Sequence, residues 1–363
     1  MKKARTKKRV RAAAAHGMPA TVTVIILCYN YGHYLPEATE SALAQLGVDV
    51  DVIIVDDKST DGSVHVARGL ALIHQGTVSV IENEVNLGLV GTFNVGLAAA
   101  TGEFVVRIDA DDLLTPGSLK RGVDVARAFP GVGLIYGHPL HFRGDSLPAP
   151  RTLAKSWTVW SGLQWLEDRC RGGDNVMTSP EVMMRRATVE KAGPVRNLPH
   201  TNDMEMWLRM AAHGDVAYIH GADQAWHRDH PGSMSEQEVD ELLDLRERAG
   251  MFDVLFGEPG LPLTDAPKMH QLAYRTLASQ AVLSATHEID CGRGQGALVA
   301  SYLYFARSLV ENPASLRAWR GLERRRKERL SGVASTVVAA CRRTRRRVAS
   351  EVRWYRWHRT GVY

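Results

Sequence analysis

Three stretches of this chain are almost wholly apolar and rich in β-branched residues: TVTVIILCYN (21–30), DVDVIIVDD (49–57) and FVVRIDADD (104–112). A shorter one, VSVIENE (78–84), follows the same habit, and all four end in polar residues. A strand that is apolar on both faces has to be covered on both faces, which is the situation of a strand inside a parallel sheet. The intervening segments supply the covers. YGHYLPEATESALAQL sets Leu35, Ala38, Ala42, Leu43 and Leu46 at helical spacing, VHVARGLALIHQ reads as a helix, and NLGLVGTFNVGLAAATGE is a Gly-punctuated loop running into another. TPGSLKRGVDVARAF is predicted to be a helix opening on Thr115 with Pro116 at its first position, and VGLIYGHPLHF a fifth strand. This alternation predicts an α/β fold: a doubly wound, mixed but mostly parallel sheet flanked by helices.

From about residue 150 the pattern loosens. SWTVWSGLQWLEDRCRGGDNVMTS reads as aromatic and loop-rich, PEVMMRRATVEKAGPV as a short strand and helix, and AWHRDHPGSMS as a His-bearing loop. HTNDMEMWLRMAAHGDVAYI spaces Met206, Trp207, Met210 and Ala211 helically, with Asp203 in the first turn. Residues 236–318 read as an all-helical appendage. Residues 319–363 form a basic, helix-prone tail in which Trp354, Tyr355 and Trp357 are interleaved with arginine.

Charge divides the chain in the same way. The net +5 combines +7 over residues 1–11 and +11 over 319–363, which leaves −13 for the body between them. Residues 1–19 are accordingly expected to be a disordered basic end. Basic ends meet anionic lipid or polyanions, but an acidic body with no recognisable binding module argues against a nucleic-acid partner. Four scattered cysteines with no paired spacing argue against a disulfide framework or a zinc site and fit a reducing compartment. No apolar run approaches the ~20 residues of a membrane helix. The start of the chain lacks the apolar core of a secretory signal. A cytoplasmic location, or a peripheral one at the inner face of the cell membrane, is the expectation.

In such sheets ligands bind beyond the carboxyl ends of the strands, where three polar clusters fall: Cys28-Tyr29-Asn30, Asp56-Asp57 and Asp109-x-Asp111-Asp112. Carboxylates as close as Asp109 and Asp111 repel unless a cation or water offsets them, and a hard dication that also takes substrate phosphates suits them. The competing reading is a helix-start cluster, with Asp112 near the dipole of the following helix. A carboxylate at Asp57 can accept from a base or a ribose hydroxyl, and Tyr29 can stack on a flat ring. Otherwise they are a turn aspartate and a rim aromatic, and Asp61 in KSTDGS is expected to satisfy its own turn.

Taken together, TVTVIILCYNYGHYLPEATESALAQ, VIIVDDKSTDGS, NLGLVGTFNVGLAAATGEFVVRIDADD and NDMEMWLRM resemble the family 2 glycosyltransferases with the A-type (GT-A, Rossmann-like) nucleotide-sugar fold, over about residues 20–235. The resemblance implies a nucleotide-binding half (20–115) and an acceptor half (116–235). It implies that Tyr29 and Asp57 hold the nucleoside, that Asn86 lines the donor pocket, and that Asp109 contacts ribose or sugar. Asp111 would hold Mn²⁺ or Mg²⁺ against the diphosphate, with His230 beside it and His227 as a rival. Asp203 falls where the family places its catalytic base, although the usual Glu-Asp pair is here Asn202-Asp203.

The implied reaction is inverting transfer from a nucleoside-diphosphate sugar, most often a UDP-sugar in this family, to an acceptor hydroxyl. One base suffices for it, and no carboxylate nucleophile is needed. Without membrane spans or a Gln-x-x-Arg-Trp motif, transfer of one or a few sugars is expected rather than processive synthesis. The expected acceptor is a lipid-linked or cell-envelope glycan, reached with the basic tail on anionic lipid. Rival enzymes fare worse. A nucleotidyltransferase needs a basic Gly-rich loop where CYNYGHYLPEA stands, and a dinucleotide-binding dehydrogenase needs G-x-G-x-x-G there. A nucleic-acid binder using the Arg-rich ends, and an inactive sugar-nucleotide-binding homologue, are the remaining alternatives.

Overall fold

A computed structural model describes residues 7–14, 18–230, 240–294, 296–327 and 333–360. The strands are β1 (Lys7–Arg11), β2 (Thr21–Cys28), β3 (Asp49–Asp56), β4 (Val78–Glu82), β5 (Phe104–Asp109), β6 (Leu113–Leu114), β7 (Val132–Phe142), β8 (Ser156–Trp160), β9 (Val182–Arg185) and β10 (Asp215–Arg228). With them run helices α1 (Leu35–Leu43), α2 (Ser63–Ile73), α3 (Gly88–Ala99), α4 (Ser118–Ala128), α5 (Gly162–Gly172), α6 (Arg186–Ala192) and α7 (Asn202–His213). The helices α8 (Glu241–Phe256), α9 (Ala266–Asp290), α10 (Ala297–Leu309), α11 (Arg317–Lys327) and α12 (Val333–Thr360) follow. Two compact units result: Met1–Leu166 with Asn175–Gln237, and Glu167–Asp174 with Glu238–Tyr363.

The first unit is built on one sheet, in the order β1-β8-β10-β7-β9-β5-β2-β3-β4, with β6 paired to β10. The run β5-β2-β3-β4 is parallel throughout. Its apolar residues, Val24, Ile26, Ile54, Val106 and Ile108 among them, are almost fully buried, as the two-sided apolar pattern requires. β9 lies antiparallel between β5 and β7. This reversal brings the start of β9 to the edge where β5 ends.

Several expectations are corrected. Lys7–Arg11 lies within the expected disordered end, yet it is an edge strand antiparallel to β8. Its cations are accommodated by aromatic faces, with the Lys7 ammonium 5.1 Å from the Trp160 ring and that of Lys8 4.5 Å from Phe129. The SWTVW stretch is not loop but β8 followed by α5, its tryptophans buried. AWHR is not loop either: it closes the 14-residue β10. Helix α4 starts at Ser118, after Gly117 in the left-handed region (φ 73°), instead of capping on Thr115. Thr115 instead donates to the Asp223 carbonyl and accepts from Arg121 (2.9 Å). The carboxylate of Asp223 is buried with His138 (3.0 Å) and Arg151. Burial alone would raise it, but these partners outweigh burial and hold it down at about 2.

The second unit is helical among its described residues. It begins at Glu238 and also takes in Glu167–Asp174. Arg248 ties that segment to the helices, donating to the Gly173 carbonyl (2.7 Å) and to Asp174 (3.0 Å). Among the described residues no helix is long and apolar enough to cross a membrane.

Candidate active site

The carboxyl ends of β3, β2 and β5 finish level. The Asp57 N–H donates to the Cys28 carbonyl (2.8 Å) and the Ala110 N–H to the Leu27 carbonyl (3.0 Å). Strand spacing then sets Asp57 and Asp109 roughly 10 Å apart across β2. The turns beyond β2 and β3 are clasped together. Asn30 (φ 60°) accepts the Thr60 N–H (2.8 Å), and its own N–H reaches Ser59 Oγ (2.9 Å). Gly32 allows the closest approach, because a Cβ there would sit 2.5 Å from Ser63 Cα. Asp61 accepts the Ser63 N–H (2.8 Å), as its turn reading requires. Tyr29 stands at this rim, 46% exposed.

Asp57 and Asn86 come together, but not as a free pair. Asp57 is buried and its carboxylate accepts the N–H groups of Leu87 (2.7 Å) and Gly88 (2.9 Å) and the amide of Asn83 (2.9 Å). It thus satisfies the N-terminus of α3, which has no side-chain cap of its own. The Asn86 amide donates to the Asp57 carbonyl (3.1 Å). This structural duty of Asp57 was invisible in the sequence, because its partners lie 26 to 31 positions away.

The aspartates that end and follow β5 divide their work. Asp109 accepts from the Arg107 guanidinium (2.9 Å), two residues back on the same face of the strand. Asp111 Oδ2 lies 2.9 Å from His230 Nε2, so the two residues expected at the metal are in contact. Asp112 is buried and does not serve the following helix. It accepts the Arg228 N–H (3.0 Å) and pairs with His227 Nδ1 (3.2 Å). Burial pushes the Asp112 carboxyl up to about 6. It works against the charge of His227 too, but Asp112 overcomes this and holds the imidazole at about 9. His227 therefore faces Asp112, and His230 faces Asp111.

Two donor sets here can hold a metal. Asp111 with His230 offers one oxygen and one nitrogen, a combination that suits Mn²⁺. A second group, His141, His227 and Asp229, has its ligand atoms within 4.8 Å of one another.

Asp203 sits in the first turn of α7. Its Oδ2 accepts from the Asn175 amide (2.8 Å) and its Oδ1 from the Met204 N–H (2.6 Å). Burial pushes its carboxyl up to about 6, against the opposing pull of those bonds and of the Arg107 charge, while Glu181 adds to the rise. Arg107 therefore acts on both Asp109 and Asp203. The helix is fixed from behind by Glu205, fully buried and bonded to Arg209 (2.8 Å), whose guanidinium reaches the Pro194 carbonyl (2.9 Å).

Glu181 is itself held by a turn. Its carboxylate accepts the Thr178 N–H (2.7 Å), the Thr178 hydroxyl (2.7 Å) and the Ser179 N–H (3.2 Å). Ser179 pays a conformational cost for that geometry, with φ at 142°. Arg107, Asn175 and Glu181 were missed by the sequence reading. Arg107 alone carried a signal, as a cation inside an otherwise apolar strand.

Residues 23–192 match the family described as glycosyl transferase family 2. That segment, just under half of the chain, is similar to a family 2 glycosyltransferase domain. An uncharacterized glycosyltransferase of Nostoc sp. (strain PCC 7120) is 43% identical over 115 residues, 32% of this chain and 35% of that relative. The chain therefore spans about a third of that relative's length. Residues 1–349 of S. aureus TarS, solved with UDP-GlcNAc, superpose with a TM-score of 0.58 at 18% identity, covering 82% of this chain and 83% of that one. The mannosyltransferase PcManGT of Pyrobaculum calidifontis, solved with GDP-Man and Mn²⁺, gives 0.50 at 19%, covering 87% and 91%. At such identities the likeness is one of fold, and the fold is that of the A-type glycosyltransferases. The match to the family 2 glycosyltransferases stops short of Asp203 and His230, so the case for those two residues rests on the geometry above.

Proposed function

We propose that this protein is a family 2 glycosyltransferase that moves a sugar from a nucleoside-diphosphate sugar to an acceptor hydroxyl with inversion at the anomeric carbon, in the building of a cell-envelope or other glycan. One observation carries the reading. The edge that gathers Asp109 and Asp111 also presents a third carboxyl, Asp203, raised to about 6 and joined to Asp109 through the field of Arg107. A base working near neutral pH needs a pKa moved toward the working range, and burial supplies that shift here.

In this mechanism Asp203 takes the acceptor proton as the hydroxyl oxygen attacks the anomeric carbon. The bond from that carbon to the diphosphate oxygen breaks, and its electron pair leaves with the nucleoside diphosphate. Asn175 and the Met204 N–H hold the Asp203 carboxylate in one orientation. Asp111 and His230 would hold Mn²⁺ or Mg²⁺, which when bound offsets charge on the departing diphosphate as a Lewis acid. Asp109, steadied by Arg107, is assigned to ribose or sugar hydroxyls. Tyr29 and the Asp57–Asn86 corner are assigned to the nucleoside. With its carboxylate occupied, Asp57 shapes the base site through the start of α3 as well as through direct contact.

UDP-sugars are the first donors to test, since TarS was solved with UDP-GlcNAc, and GDP-sugars the second, since PcManGT was solved with GDP-Man. A screen of sugar nucleotides for hydrolysis and transfer, with and without Mn²⁺ and with Asp203→Asn alongside, tests the proposal. Metal-dependent consumption of one donor, lost in the variant, is the expected result. No consumption of any donor, or equal consumption by the variant, refutes it.

A further inference from the structure

The helix α12 carries its apolar residues on the wrong side for a helix that only packs against its own unit. Its inward side is set by contacts. Arg342 and Arg346 approach Asp290 (3.9 Å) and Glu241 (3.8 Å), Arg343 donates to the Asp290 carbonyl, and Trp357 is 9% exposed. The residues opposite should then be polar. Instead Val337, Cys341, Val348, Val352 and Tyr355 fall on one stripe, within an arc of about 60° at 100° per residue. All five are exposed, the valines by 54%, 51% and 44% and the tyrosine by 59%. Arg345 and Arg356 border the stripe on one side and Arg347 on the other, all exposed, with Trp354 (60% exposed) beyond. Glu351 is the single acid between Val333 and Thr360, against eight arginines.

We propose that this outward face of α12 docks on an anionic phospholipid surface. A narrow aliphatic stripe rimmed by guanidinium groups and flanked by Trp and Tyr is what an interfacial helix requires: the stripe enters the acyl boundary while arginine meets phosphate. A second copy of the chain would set one arginine rim against another. A nucleic acid would reward the arginines but leave the valines in water. Lipid answers both features, and the surface is independent of the sugar-transfer chemistry.

The test is flotation of the full-length protein with mixed phosphatidylglycerol–phosphatidylcholine vesicles and with phosphatidylcholine alone. The wild type is expected to float with the mixed vesicles only, and less at high salt. The double variant Val348→Asp/Val352→Asp should bind them at least about tenfold more weakly. Its far-UV circular dichroism and donor hydrolysis should be unchanged, which separates this result from any failure of the transferase reading. Arg345→Gln/Arg347→Gln serves as a second variant that keeps the stripe, with weaker flotation and a shallower salt dependence expected. Three results would overturn the proposal: no flotation of the wild type with the mixed vesicles, equal flotation of all three proteins, or a concentration-dependent dimer or retention on DNA that the valine variant abolishes.

Discussion

Replacing Asp203 by Asn separates a working base from a structural acid, because the two roles move stability and activity in opposite directions. Its carboxyl titrates at about 6 in the folded chain and near the ordinary Asp value of 3.8 when unfolded. The folded state therefore prefers the protonated form. The stability linked to this group is complete below about pH 4 and is lost as pH rises through 6. Linkage puts the loss at roughly 1.6 kcal/mol at pH 5 and roughly 3 kcal/mol at pH 8, a difference of about 1.4 kcal/mol, which partial exposure trims to about 1. Asn does not ionise, so the variant escapes that loss. The bond from Asn175 to Oδ2 is weakened in the variant at every pH, so the signature lies in the slope and not in the offset. Urea unfolding of both proteins at pH 5 and pH 8 should show the variant gaining about 1 kcal/mol on the wild type over that interval. Its kcat should meanwhile fall by about 10²- to 10⁴-fold. A stability difference that does not change with pH would refute the raised carboxyl, and retained kcat would refute the base.

Other substitutions probe the supports of the same edge. Arg107→Met removes the cation that opposes the Asp203 shift, so the acidic limb of the pH–rate profile should move above about 6 and the rate fall roughly tenfold or more; an unmoved limb contradicts the link. Asp57→Ala strips the N-terminus of α3 and leaves the buried Asn83 amide short of an acceptor, costing about 2 kcal/mol in urea unfolding. Asp223→Ala leaves the buried His138 and the Arg151 guanidinium without their carboxylate and should cost about 3 kcal/mol or more. Because Asp223 is held down at about 2, the stability it lends the wild type is present above about pH 4 and is lost as pH falls toward 2; acid unfolding of the two proteins should converge there.

Much of the nucleotide-binding side was legible from local pattern. Val24, Ile26, Ile54 and Val106 lie in runs with no polar face, and such runs have few places to go except the middle of a sheet. Features that depend on distant partners were not legible. Lys7 and Lys8 look like solvated charge until Trp160 and Phe129 are placed under them. β10 escaped notice because it mixes polar and apolar residues and slips register between Tyr218 and Ala225. At the site, Asp111 and His230 are 119 positions apart, and only the family resemblance suggested pairing them. Asp203 was placed by that same resemblance, whereas its raised carboxyl follows from burial, which a sequence does not display. Glu181 and Asn175 lie in a short polar segment before β9 with no periodicity to mark them.

The most direct test of the account is calorimetric binding of UDP and GDP with and without Mn²⁺, in the wild type and in Asp111→Ala. Mn²⁺ is expected to tighten binding of one of these nucleotides about tenfold or more in the wild type and to leave the variant nearly unchanged. Nucleotide binding that ignores Mn²⁺ in the wild type, or an equal Mn²⁺ effect in the variant, would contradict the claim that Asp111 and His230 gather around a metal-bound diphosphate.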